Sequence, residues 1–106
     1  MFSINPKPTF VAEADIPVAG GGTEKLTLVF KHKTRDDVQA YFEQVSAGAD
    51  GQTDADALLE ILDGWKDVDV PFSREELNRL VQNYPGAPRA IFDTYLAELT
   101  GQRRGN

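Results

Sequence analysis

Along residues 8–17, Phe10, Ala12, Ala14 and Ile16 alternate with Thr9, Val11, Glu13 and Asp15. Along residues 24–33, Leu26, Leu28 and Phe30 alternate with Thr27, Val29 and Lys31. Successive strand residues point to opposite faces, so period two predicts two strands, each with one buried face. The intervening "AGGGTE" places Gly20, Gly21 and Gly22 where a chain reversal needs positive φ angles, which predicts an antiparallel hairpin. A phosphate-cradling reading of these glycines fails, because such a loop runs from a strand into a helix and here it runs into a second strand.

After Thr34 the period changes to that of amphipathic helices. Thr34 and Asp37 resemble a capping box, and Val38, Tyr41, Phe42 and Val45 recur at i, i+3, i+4 and i+7, predicting a helix over 34–47. Leu58, Ile61, Leu62 and Trp65 repeat the spacing over 53–65, and Leu77, Leu80, Val81 and Tyr84 over 73–84, where Ser73 is the cap and Glu76 its partner. Pro88 suits the first turn of a fourth helix over 88–100, with Ile91, Phe92, Tyr95, Leu96 and Leu99 as its stripe and Gly101 as its stop. The expected fold is therefore α+β, an N-terminal β-hairpin followed by about four short helices. We expect one domain over 1–106, with 1–6 and 101–106 as flexible ends. A lone hairpin is marginal, so it needs the helices or a neighbouring chain's strand to cover it.

Charge narrows the function classes. The chain of 106 residues has net charge −6, and residues 36–69 hold ten acidic side chains against Lys66 alone. That belt repels a phosphate backbone, and Arg103 and Arg104 are too few to form a nucleic-acid patch. No apolar run approaches the roughly 20 residues that span a bilayer, and the start "MFSINPKPTF" lacks the pattern of a signal peptide. With no cysteine, disulfide and thiolate chemistry are absent; the expectation is a cytoplasmic protein without membrane association.

Candidate chemistry is sparse. A calcium loop counted from Asp50 puts Gln52 and Asp54 at the third and fifth places, but Ala55 and Ile61 fall where glycine and a bidentate Glu are required. Asp67 and Asp69 have no neighbour that would split their acidities, and His32 lies at a strand end between Lys31 and Lys33. No serine or threonine has a base and an orienting acid, so we expect no catalytic, metal or cofactor site. Trp65, at the end of the second stripe, reads as core or as an interface anchor. Pro71, Phe72, Ser73, Glu76 and Leu77 read as structural: a stop, a hydrophobic staple and a cap contributing about 1 kcal/mol. The stretch "DVDVPF" is then a docked connector whose carboxylates have no chemical role.

The order of these features resembles a known family. "PTFVAEADIPVAGGG", "LTLVFKHKTRDD", then Gly64 and Trp65 followed by acids and "VPFSREELNRLVQNYPGAPRAIFDTYLAEL" is similar to the tail assembly chaperones of long-tailed bacteriophages and prophages, over roughly residues 8–99. The resemblance implies a non-enzymatic protein of the host bacterial cytoplasm. It implies binding of the tape measure protein, which the chaperone keeps soluble while tail tube subunits polymerise, with the tail tube protein and self-association as further candidate contacts. The alternative is a minor tail or connector protein retained in the virion. A partner-binding face is expected at Ile91, Phe92, Tyr95, Leu96 and Leu99; the competing reading places that whole stripe in the core.

Overall fold

The period-two segments form the expected hairpin in the computed structural model, which describes residues 1–47 and 53–101. Strands β1 (Thr9–Pro17) and β2 (Thr23–Lys31) pair antiparallel, from Thr9 opposite Lys31 to Pro17 opposite Thr23. Ala12, Ala14, Ile16, Leu28 and Phe30 are buried on one face, while Val11, Glu13 and Asp15 are exposed on the other. Gly20, Gly21 and Gly22 take φ of 90°, 101° and 83°, and Val18 N donates to Gly22 O at 3.2 Å to close the turn.

Helix α1 (Arg35–Ala47) follows, with Thr34 Oγ1 accepting from Asp37 N at 3.2 Å. Next come α2 (Asp54–Leu59), β3 (Leu62–Lys66), α3 (Arg74–Asn83) and α4 (Ala87–Leu99). The α+β class and its N-terminal strands are as expected from the sequence. Asp50 and Gln52 of the rejected calcium loop, and Arg103 and Arg104, lie outside the described residues.

The helix expected over 53–65 is corrected: it stops at Leu59, and Leu62–Lys66 is a third strand, giving the sheet order β1-β2-β3. Leu62 pairs with Phe30, Gly64 with Val29 and Trp65 with Leu28, so Asp63 is an extra residue in a bulge. In a regular strand, residues three apart face opposite ways; one inserted residue restores them to the same side. The bulge thereby puts Leu62 and Trp65 on the helix-facing side with Phe30 and Leu28, and their i, i+3 spacing imitates a helical stripe. Gly64 weakens any continuation of the helix, since glycine disfavours a helix interior by about 1 kcal/mol relative to alanine, and a glycine beside a bulge is common in strands. Lys31 N donates to Ile61 O at 2.7 Å, extending the pairing past the bulge.

Helix α4 packs on this sheet, and α2 and α3 pack on one another and against α4. Tyr95 of α4 is fully buried; its ring lies 5.2 Å from Phe30 and 6.0 Å from Phe10, centroid to centroid, and its hydroxyl donates to Lys31 O at 2.8 Å. Burial pushes that phenol up to about 12. Helix α1 is fastened by Tyr41, whose hydroxyl donates to Ala57 O at 2.7 Å, and by Phe42, edge-on to Phe92 at 6.1 Å. A complete capping box starts α2: Thr53 Oγ1 accepts from Asp56 N, and the Asp56 carboxylate accepts from Thr53 N. Asp56 also pairs with Arg74, tying α2 to the start of α3.

Tyr95→Phe leaves the Lys31 carbonyl without its donor and is expected to cost about 1 kcal/mol in urea unfolding. Tyr95→Asp places a carboxylate between Phe10 and Phe30, and loss of helical circular dichroism is the expected result; a native spectrum would contradict this packing. For Asp56, the hydrogen bond from the Thr53 backbone, with lesser contributions from the Thr53 hydroxyl and Arg74, lowers the pKa. Its stabilising effect is present above the unfolded carboxylate range and is lost as pH falls through the lower folded value. The stability difference between wild type and Asp56→Asn should therefore shrink as the pH is taken from 5 to 2, as read by urea midpoints; a constant difference would remove the carboxylate from this role.

Candidate functional site

The chain leaves β3 at Lys66 through Asp67, whose φ of 59° lies in the left-handed region that Asp tolerates better than most residues. This turn carries residues 67–72 away from the sheet. Trp65 then holds the returning segment: its Nε1 donates to Val70 O at 2.9 Å, and its ring meets Phe72 edge-on, with centroids 5.1 Å apart. Phe72 packs against the core, and Leu77 is fully buried one turn into α3, so both staple positions are anchored. Ser73 Oγ accepts from Glu76 N at 3.1 Å. The reciprocal half of the expected capping box is replaced, because the Glu76 carboxylate pairs with Arg79 at 3.4 Å.

This connector, β2 and α3 enclose a groove of about 540 Å³. Leu26, Trp65, Val68, Val70, Leu80 and Tyr84 line it, all half-buried. Glu24, Asp67, Asp69 and Glu76 stand around it with two cations, Lys25 and Arg79. Both cations have internal partners: Lys25 Nζ donates to Asp15 at 2.8 Å, a bond that raises the Lys25 pKa, and Arg79 faces Glu76. Glu76 Oε1 is buried and accepts no hydrogen bond.

The stripe of α4 divides. Ile91 and Tyr95 are fully buried against the sheet, Phe92 is half-buried beside Tyr41 and Phe42, and Leu99 is also half-buried. Leu96 alone of the five is exposed, at 43%. The groove was not identified from sequence, although its signal is present: Val68 and Val70 alternate with Asp67 and Asp69 just after the sole tryptophan. Among the described residues no cluster of three or more His, Cys, Asp or Glu could hold a metal, and no helix is long and apolar enough to cross a membrane.

Trp65→Phe preserves an aromatic ring but removes the donor to Val70. The expected loss is about 1 kcal/mol in urea unfolding, with faster proteolytic cleavage in the 67–70 segment; unchanged stability and cleavage would show that the indole N–H does not hold the connector.

The family model described as phage tail assembly chaperone matches residues 1–106. No curated protein and no solved structure matches significantly. The chain belongs to the phage tail assembly chaperone family.

Proposed function

We propose that this tail assembly chaperone binds the tape measure protein in the cytoplasm of the host bacterium and keeps it soluble while the tail tube polymerises around it. The observation that carries the reading is the family match over the whole chain. A client with long apolar helical stripes needs a holder that offers apolar surface and brings solubilising charge, and this molecule has both: a half-buried apolar groove, an exposed Leu96 and a net charge of −6. The role is one of binding, without catalysis.

Contacts with tail tube subunits and self-association belong to the same proposal. Support for self-association comes from β1. His32 N donates to Pro8 O at 2.8 Å, so with the observed register the even-numbered residues of β1 direct their backbone groups to β2. Those of Val11, Glu13 and Asp15 face the outer edge, a site for strand addition.

Co-expression with the tape measure protein of the same tail gene cluster, followed by fractionation and pull-down, tests the reading. A client that becomes soluble and co-purifies is the expected outcome. A client that stays aggregated, together with this protein found by mass spectrometry in purified virions, would favour a minor tail or connector component instead.

A further inference from the structure

Resting on that reading, we infer that the client docks in the groove between β2, the 67–70 connector and α3, and that the docking segment is a cationic amphipathic helix: apolar side chains entering the groove, with Lys or Arg beside them. Six half-buried apolar side chains from β2, β3, the connector and α3 with its C-cap converge there, so the concavity offers preformed apolar surface inside a charged rim. Glu76 and Leu80 of α3 and its C-cap Tyr84 follow one another at i, i+4 and i+8, and such a row is a ridge alongside which a second helix packs.

The electrostatics select the sign of the occupant. Glu24, Asp67 and Asp69 have no ion-pair partner among the described residues, whereas Lys25 and Arg79 are occupied by Asp15 and Glu76. The uncompensated charge around the groove is therefore negative. An acidic segment would be repelled, and a purely apolar one would cover carboxylates without pairing them, which costs free energy. A Lys or Arg on the incoming helix pairs with the exposed rim carboxylates of Glu24, Asp67 and Asp69. The connector is already held by the Trp65 bond to Val70, so little ordering is needed on binding.

The test uses the full chain co-expressed with the tape measure protein, with capture quantified at low and high salt. Glu24→Lys/Asp69→Lys, which leaves the left-handed Asp67 in place, is expected to lower capture about ten-fold or more at low salt. Wild-type capture should weaken as salt rises. Glu43→Lys/Glu98→Lys makes the same change in net charge at exposed positions that do not line the groove and should capture as wild type does. Circular dichroism checks folding, and if the reversed pair does not fold, Glu24→Gln/Asp69→Asn is expected to retain the fold and weaken capture several-fold. Equal capture by wild type and the folded groove variant, or equal loss in the Glu43/Glu98 control, overturns the site while leaving the chaperone reading in place. Failure of wild type to capture the client at all overturns both.

Discussion

A two-stranded hairpin has two unpaired edges and little stability in water. Here β3 takes the inner edge of β2, and the geometry of the remaining chain follows from how it does so. With Asp63 bulged out, Leu62 and Trp65 both face the helices. Leu62 completes the core beside Phe30, while Trp65 reaches past the end of the strand to Val70 and Phe72. The start of α3, and with it the far wall of the groove, is positioned by that reach. Without the inserted residue, either Leu62 or Trp65 would point to the outer face, and the connector would lose its anchor.

The other fixed point is the stack of Phe10, Phe30 and Tyr95. It joins the two strands of the hairpin to α4, and the Tyr95 hydroxyl satisfies the carbonyl of Lys31 at the end of β2. Sheet and last helix are thus bound through both apolar area and a partly buried polar contact, a combination that fixes orientation as well as proximity. Helix α1 attaches more peripherally, through Tyr41, Phe42 and the partly covered Phe92. The two sides of the α4 stripe consequently have different surroundings, sealed at Ile91 and Tyr95 and open at Leu96.

Local signals were legible in the sequence and non-local ones were not. The hairpin could be read because alternation and three adjacent glycines are sufficient to encode it, and α1, α3 and α4 because caps and stripes agree. Trp65 could not be placed, because a bulged strand and a helix turn bring residues three apart to the same side, and only the free edge of β2 decides between them. The α4 stripe could be recognised as apolar, but periodicity reports which face is apolar without saying what covers it; Leu96 and Tyr95 look alike until the sheet is in place. The groove is the extreme case, since its walls come from all three strands, the connector and α3, and no single segment carries its outline.

The acidic connector can now be assigned by elimination. Its position is set by the Trp65 bond to Val70, the Phe72 contact and the Ser73 cap, none of which uses the carboxylate of Asp67 or Asp69. Asp67 satisfies the backbone requirement of a left-handed turn, but Asn or Gly would do so as well, and Asp69 meets no such requirement. Each carboxylate also adds like charge beside Glu24 and Glu76, which opposes folding slightly. Groups that the fold does not use and that mildly oppose it have their effect at the surface. There they give the rim of the half-buried groove a negative sign, which is what the proposed docking of a cationic helix requires.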